Sequence, residues 1–173
     1  MRGIFVTFEG GEGCGKSTQS KLLKEFLEKE GYPTFLTREP GGPKISEEIR
    51  DMLLDKSNSE MHNRTEVLLY SASRAQHTAQ WILPKLEDGQ IVISDRYYDS
   101  TSAYQGAARL IGKKDIEMLN EFATFEIVPD ITFLIDLDHK KGLNRIDTKK
   151  IDRLESESFE FHQRVRKGFL KIA

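Results

Sequence analysis

Residues 4–30 read IFVTFEGGEGCGKSTQSKLLKEFLEKE and combine three features that decide the fold. The apolar and β-branched run at residues 4–8 predicts a short strand, which a pair of glycines ends. Residues 16–30 predict a helix, because leucines and Phe26 recur at helical spacing and Gly31 follows as a stop signal. A glycine-rich loop therefore connects a buried strand directly to an amphipathic helix.

This loop fits the pattern G-x-x-x-x-G-K-[ST], in which backbone N–H groups wrap the phosphates of a nucleotide. Glycine permits the wrapping because no side chain intrudes and positive φ angles carry no steric penalty. Lys16 is expected to reach the β- and γ-phosphates, and the Ser17 hydroxyl is expected to coordinate Mg²⁺. The residues predicted to bind the triphosphate of ATP are Gly10, Gly11, Glu12, Gly13, Cys14, Gly15, Lys16, Ser17 and Thr18.

Short apolar strands and longer helical patterns alternate along the rest of the chain. We predict further strands at residues 34–37, 91–94 and 131–137, and further helices at residues 45–54, 65–83, 99–108, 114–125 and 155–172. This order, with nearly all-apolar strands, predicts a three-layer α/β/α fold in which helices cover both faces of a parallel sheet. No linker or repeat divides the sequence, so residues 1–173 are expected to form a single domain. Ligands of such sheets bind beyond the carboxyl ends of the strands.

The composition excludes several classes of protein. The 173 residues include 26 Lys plus Arg and 28 Asp plus Glu, and a net charge of −2 provides no global attraction for nucleic acid or an anionic membrane. A single cysteine excludes an internal disulfide and a cysteine-based zinc cluster. The apolar runs are too short for a signal peptide or a membrane span. The sequence therefore predicts a cytoplasmic protein without a nucleic-acid or membrane partner.

Among proteins that bind a triphosphate, the sequence favours a compact kinase. The Asn-Lys-x-Asp tetrad and the Asp-x-x-Gly switch of regulatory GTPases are both missing. Motor and transport ATPases usually have longer chains. A kinase that transfers a phosphoryl group to a small acceptor is the class that fits.

Arginines beside the predicted strand ends indicate an acceptor that already carries a phosphate. Arg38 follows the second strand, Arg50 lies on the next helix and Arg96 follows the third strand. Guanidinium groups match phosphate oxygens better than ammonium groups do. Asp95 ends the third strand and is expected to help hold the hydration shell of Mg²⁺. Glu12 is an acid inside an anion-binding loop, where we expect it to anchor an arginine or the acceptor's sugar.

Two groups of side chains at helical spacing are candidates for binding a planar base. Tyr70 and Arg74 are four residues apart, so a stacking ring and a carbonyl donor would share one helix face. The same helical spacing relates Thr101, Tyr104 and Gln105, whose polar ends would face a base edge and the sugar. Spacing alone is equally compatible with a core aromatic residue and a half-buried polar turn.

Four segments together resemble the thymidylate kinase family in its bacterial type. They read FEGGEGCGKSTQ at residues 8–19, TREPGG at 37–42, DRY at 95–97 and AYQG at 103–106. The resemblance covers almost the whole chain and implies a P-loop kinase fold with a short mobile lid at residues 142–153. It also implies transfer of the γ-phosphoryl group of ATP to dTMP, with Mg²⁺, by a homodimer.

The resemblance further implies roles for individual side chains. The dTMP-binding residues would be Arg38, Arg50, Tyr70, Arg74, Arg96, Thr101, Tyr104 and Gln105. Within this set the tyrosine at 70 would stack on thymine, Arg74 would bond its O4, and Tyr104 would crowd the sugar 2′ position. The catalytic residues would be Lys16, Arg96, Arg153 and Glu12, the metal would contact Ser17 and Asp95, and the lid cations would be Arg145, Lys149, Lys150 and Arg153.

The sequence also departs from the family pattern. Tyr70 stands where Phe is usual, Pro43 replaces a usual Thr and Ser46 a usual Gly. Lysines occupy lid positions where arginines are common, which makes Arg145 and Arg153 the expected lid arginines. The family continues beyond the final helix into a strand and a helix, which we expect to be missing from this chain. Two alternatives remain open. One is a kinase for another nucleoside monophosphate or for a deoxynucleoside, and the other is an inactive nucleotide-binding protein.

Overall fold

The computed structural model describes residues 2–145 and 151–173. A parallel sheet of four strands, in the order β2-β3-β1-β4, forms its centre. The strands are β1 (Phe5–Glu9), β2 (Thr34–Arg38), β3 (Ile91–Asp95) and β4 (Ile131–Leu134). In β3, Ile93 pairs with Val6 on one side and with Leu36 on the other, so β3 lies between β1 and β2. The carboxyl ends of these three strands consequently meet at one edge of the sheet.

Helices connect the strands. They are α1 (Lys16–Lys29), α2 (Lys44–Leu54), α3 (Asn63–His77), α4 (Leu83–Glu87), α5 (Tyr98–Thr101), α6 (Lys113–Thr124), α7 (His139–Leu143) and α8 (Phe159–Ile172). Two π-helical segments, Thr78–Ile82 and Ser102–Ala108, and a 3₁₀ turn, Lys56–Asn58, complete the regular structure of the described residues. In this part of the chain no helix combines the length and the apolar character that crossing a membrane requires.

Both faces of the sheet are covered. Alternate residues of a strand point to opposite faces, so Phe5 and Val6 belong to different hydrophobic clusters. Val6 packs in the cluster that includes Leu23 of α1, whereas Phe5 packs with Leu86 of α4. The predicted three-layer α/β/α architecture with a parallel sheet is thus confirmed.

The helix predicted at residues 65–83 is longer in the structure. The π-helical segment Thr78–Ile82 continues α3 into α4, and the turn ends at Gly89, whose φ is 76°. Pro84 lies in the first turn of α4, directly after the π-helical segment, and has no N–H to donate to the preceding turn. The proline therefore coincides with an irregular hydrogen-bonding pattern rather than with the end of the helix.

Two other predicted boundaries are also wrong. The final helix starts at Phe159 instead of residue 155, because the Ser158 hydroxyl caps it by accepting from the Phe161 N–H at 3.2 Å. Before it, Asp152 accepts the backbone N–H groups of Leu154 and Glu155, which forms a turn. The strand expected to run to residue 137 ends at 134. Among the described residues no strand pairs with the outer side of β4.

Candidate active site

The carboxyl ends of β1, β2 and β3 border a cleft of about 430 Å³. The predicted site residues that line it are Glu12, Gly13, Gly15, Lys16, Ser17, Thr18, Arg38, Arg50, Tyr70, Asp95, Arg96, Thr101, Tyr104, Gln105 and Arg145. The predicted residues of the described chain that do not line it are Gly10, Gly11, Cys14, Arg74 and Arg153. Lys149 and Lys150 lie outside the described residues. One cleft therefore brings together most of the residues that the sequence singled out.

Glycines shape the loop between β1 and α1. Gly13 has a φ of 64° and Gly15, the N-cap of α1, a φ of 104°, conformations that favour glycine. A Cβ at Gly13 would collide with the carbonyl oxygen of Gly142, so the loop and α7 touch backbone to backbone. At the start of α1 the N–H groups of Lys16 and Ser17 have no helical acceptors and are available to an anion, whereas the Thr18 N–H already donates to the Gly15 carbonyl at 3.1 Å.

Lys16 lies inside the loop, with 6% of its surface exposed. Its ammonium donates a hydrogen bond to the carbonyl of Gly11 at 2.7 Å and contacts the thiol of Cys14 at 3.6 Å. Burial, followed by the charge of Arg96, lowers the pKa of the Lys16 ammonium. A phosphate bound at the loop would supply the negative charge that stabilises this cation.

Ser17 and Asp95 are positioned together at the start of α1 and the end of β3, and the serine hydroxyl donates to the Asp95 carboxylate. Hydroxyl and carboxylate oxygens are ligands that Mg²⁺ accepts, usually with waters and substrate phosphates completing the octahedron. Among residues 2–145 and 151–173 no group of three or more His, Cys, Asp or Glu side chains could hold a metal by itself. The pair fits a metal that arrives with a nucleotide.

Arg96 connects the loop to the rest of the cleft. Its guanidinium donates to the Gly10 carbonyl at 2.9 Å, the Glu12 carboxylate at 2.7 Å and the Tyr104 hydroxyl at 3.2 Å. Tyr104 in turn donates to Glu12 at 2.6 Å. The backbone of Arg96 is left-handed, with a φ of 77°, which is uncommon for a residue with a side chain. Burial alone would lower the pKa of Arg96. Nearby negative charges, Glu12 first among them, instead raise this pKa well above its ordinary value.

Two glutamates beside Arg96 have pKa values that are shifted in opposite directions. Burial alone would raise the pKa of Glu12, but the charges of Arg96 and Lys16 lower it to about 2. Glu9 is 1% exposed, and burial raises its pKa to about 7 despite a hydrogen bond from the Ser100 hydroxyl at 2.6 Å. Glu9 also accepts the Tyr97 N–H at 2.7 Å, so it holds the start of α5. Glu9 was not predicted as a site residue, since its only signal in the sequence is an acid at the end of an apolar strand.

Arg38 and Arg50 converge on a single backbone atom. Both donate to the carbonyl oxygen of Pro40, at 2.9 and 2.7 Å. Arg38 is also paired with Glu47 at 3.1 Å, and Glu47 accepts the Gly42 N–H at 2.5 Å. Burial and the neighbouring Arg38 lower the pKa of Arg50. Two cations therefore lie side by side at the end of β2, an arrangement that a phosphate dianion would stabilise.

Arg74 is buried, with 2% of its surface exposed, and each of its nitrogens is engaged. It donates to Glu39 at 2.7 Å, to the Thr101 hydroxyl at 2.8 Å and to the carbonyl of Tyr97 at 3.1 Å. Glu39 also pairs with His77 at 2.9 Å. Burial would raise the pKa of Glu39, but the charge of Arg74 and the contact with His77 hold it below its ordinary value. Glu39 was not predicted as a site residue, because nothing in the neighbouring sequence marks it as the partner of a distant arginine.

The other predicted base-binding residues line the same cleft. They are Tyr70 on α3, Thr101, Tyr104 and Gln105. The last two lie in the π-helical segment Ser102–Ala108, which follows α5 without a break. Burial is the main cause that raises the pKa of the Tyr70 hydroxyl, so the hydroxyl stays protonated and the side chain neutral. An aromatic face and several hydroxyl and amide groups are thereby arranged around one space.

The two lid arginines that the structure describes occupy different environments. Arg145 is exposed and lines the cleft, after the end of α7. Arg153 is 7% exposed and pairs with Glu66 at 2.7 Å, while its Nε–H donates to the carbonyl of Leu53 at 2.8 Å. Both arginines were predicted as lid cations and Arg153 also as a catalytic residue, whereas Glu66, which is fully buried on α3, was not predicted. In the described structure only Arg145 of this pair faces the cleft.

Comparison with known proteins agrees with this geometry. The family model described as thymidylate kinase matches residues 8–173. A thymidylate kinase from Enterococcus faecalis (strain ATCC 700802 / V583) is 51% identical over 177 residues, covering 100% of this chain and 84% of that protein. One from Thermoanaerobacter sp. (strain X514) is 48% identical over 172 residues, covering 99% and 84%. The crystal structure of thymidylate kinase from Ehrlichia chaffeensis superposes with a TM-score of 0.81 at 39% identity, covering 100% of this chain and 85% of that one. The chain belongs to the thymidylate kinase family.

Proposed function

We propose that this enzyme transfers the γ-phosphoryl group of ATP to dTMP, in one domain formed by residues 1–173. The observation that carries the proposal is the position of Arg96, which touches the glycine loop through Gly10 and the sugar-binding end of the cleft through Tyr104. A cation in this position lies between a triphosphate in the loop and a monophosphate opposite it. The family relationship supports the choice of both nucleotides.

On the donor side, the glycine loop would bind the ATP phosphates through backbone N–H groups and the α1 terminus. Lys16 would exchange its contact with the Gly11 carbonyl for the phosphate oxygens. Ser17 and Asp95 would hold Mg²⁺, which supplies charge neutralisation for the phosphates when it is bound. The paired position of these two side chains supports that assignment.

On the acceptor side, Arg38 and Arg50 would bind the dTMP phosphate, since they already converge on one oxygen atom. Tyr70 would stack on thymine, with Thr101 and Gln105 at its polar edge and Tyr104 against the sugar. The resemblance implies a contact of Arg74 with O4 of the base, although Arg74 does not line the cleft. Its hydrogen bond to Thr101 supports a role in positioning as well.

Phosphoryl transfer needs positioning and charge more than covalent help. The acceptor is already an anionic phosphate, so no general base is required. Glu12 remains ionised at neutral pH and holds Arg96, which agrees with a role in orienting the cation rather than in moving a proton. Arg145 is the described lid residue best placed to add charge, and lid closure over residues 142–153 would exclude water.

We further propose a homodimer in the cytoplasm. Large apolar side chains of α2, α3 and α6 are exposed, and these helices pack side by side. Met52 on α2 is 50% exposed, Leu68 on α3 is 55% exposed and Phe122 on α6 is 82% exposed. A second copy of the chain would cover such a surface. Sedimentation of the wild type and of Phe122→Ser measures this association directly.

The experiment for the reaction is ADP release from Mg-ATP with dTMP, dUMP, dCMP and thymidine in parallel. We expect dTMP to be the preferred acceptor, and Lys16→Met to abolish turnover without unfolding the protein. A preference for another monophosphate or for unphosphorylated thymidine would reject dTMP as the substrate. Binding of both nucleotides without ADP release would show an inactive nucleotide-binding protein.

A further inference from the structure

Glu66 is a fully buried carboxylate behind the cleft. It lies on α3, one turn before Tyr70, with 0% of its surface exposed, and it does not line the cleft. Its two oxygens contact three side chains from other parts of the chain, namely Gln105, Arg109 and Arg153. A buried charge is stable only with such partners, so these three side chains are what allows an ionised carboxylate at this position.

The two arginines keep this carboxylate ionised. Arg109 donates to both Glu66 oxygens at 3.1 Å, and Arg153 lies 2.7 Å from one of them. Burial alone would raise the pKa of Glu66, but the hydrogen bonds from Arg109 and Gln105 hold it below its ordinary value. An ionised carboxylate has no proton to donate. Glu66 can therefore only accept hydrogen bonds.

This restriction determines the orientation of the Gln105 amide. The amide nitrogen donates to Glu66 at 2.9 Å, and the opposite orientation would place two oxygens against each other. Gln105 lines the cleft, and its amide oxygen accepts no hydrogen bond from any residue within 2–145 or 151–173. The group left for a ligand is thus the oxygen, an acceptor. Thymine carries a hydrogen on N3 and satisfies it, whereas the N3 of cytosine is itself an acceptor.

We infer that Glu66 determines base specificity from behind the cleft, by holding the Gln105 amide with its oxygen toward the acceptor base. The inference rests on the proposed function and deepens it. Glu66 touches no substrate and is a positioning residue. It selects pyrimidines with a ring N–H, and it disfavours those whose ring nitrogen accepts.

The test is the ratio of kcat/KM for dTMP to kcat/KM for dCMP. In Glu66→Gln the new amide both donates and accepts, so the Gln105 amide is free to turn and to donate to cytosine. We expect the ratio to fall roughly tenfold or more. The matched control is Glu157→Gln, which alters the Arg109 pair at 2.6 Å without reaching Gln105, and its ratio should equal that of the wild type.

A second variant guards against simple destabilisation. Glu66→Gln combined with Arg109→Gln removes one negative and one positive charge, so the charge balance of the cluster is preserved. The same fall in the ratio is expected, whereas general loosening of the fold would slow both substrates equally. A wild-type ratio in either folded variant overturns the inference and leaves the proposed function intact. A wild-type enzyme that does not prefer dTMP to dCMP rejects the proposed function itself, before any variant is compared.

Discussion

Replacing Arg96 by lysine keeps the positive charge of the cleft and removes the fork of the guanidinium. In the wild type this fork donates to the Gly10 carbonyl at 2.9 Å and to the Glu12 carboxylate at 2.7 Å. A single ammonium cannot span both acceptors, so at least one hydrogen bond to a charged group is lost, at about 1.5–3 kcal/mol. That loss predicts a fall in kcat/KM for dTMP by a factor of roughly ten to a hundred. Arg96→Ala removes the charge as well, and a fall of about 10²–10³ in kcat is expected.

The assay is steady-state ADP release at saturating Mg-ATP with dTMP varied. Arg166→Lys is the matched control, since Arg166 also pairs through a fork with a carboxylate, Asp136, at 2.7 and 2.9 Å, but outside the cleft. Its activity should equal that of the wild type. Unchanged turnover in Arg96→Lys would refute the view that this guanidinium joins the two halves of the site.

Four further changes have distinct expected outcomes. Burial raises the pKa of Glu9 in the folded state from 4.5 to about 7, so the contribution of Glu9 to stability is fully present below pH 4.5 and falls by about 3 kcal/mol as the pH rises to about 7. Glu9→Gln should remove this contribution from the pH dependence of the free energy of unfolding, measured in urea titrations. Arg153→Met leaves part of a buried charge unpaired and should lower the free energy of unfolding by roughly 3 kcal/mol. Arg145→Met should instead reduce kcat with an unchanged melting temperature. Gly142→Ala places a Cβ against the carbonyl of Glu12 and should weaken ATP binding in calorimetric titrations of a folded protein.

Each of these expectations can fail separately. A wild-type pH profile of stability in Glu9→Gln would mean that this carboxyl is not the group that titrates. Loss of turnover without loss of stability in Arg153→Met would return this residue to the lid chemistry that the sequence suggested. Normal ATP affinity in Gly142→Ala would show that the loop tolerates displacement of α7.

Local patterns account for the parts of the fold that sequence reasoning predicted. The strand, glycine loop and helix at residues 4–30 were predicted because alternation, the motif and Gly31 act over a few residues. The start of α8 was placed too early, since residues 155–158 fit the helical pattern but a Ser158 cap and an Asp152 turn compete with it. Such competition depends on hydrogen bonds that periodicity does not register.

The site was predictable wherever a motif or a strand end marked a residue. The environment of Arg153 could not be predicted, because Arg153 lies in a turn and its partner Glu66 lies far away along the chain, on α3. The same is true of Glu39, which becomes the partner of Arg74 only when β2 and α3 meet. Burial of a charged side chain is a property of the packed structure, and a single sequence contains no local sign of it.

The π-helical segment Ser102–Ala108 has a consequence for how this enzyme tolerates change. A regular α-helix advances about 100° per residue, so removing one residue to restore ordinary hydrogen bonding would rotate Tyr104 and Gln105 away from Thr101 by that angle. A shortened helix would gain backbone regularity and would turn the side chains of Tyr104 and Gln105 out of the positions from which they line the cleft. We therefore expect insertions and deletions here to be far more damaging than substitutions, because the irregular turn sets the directions of these side chains.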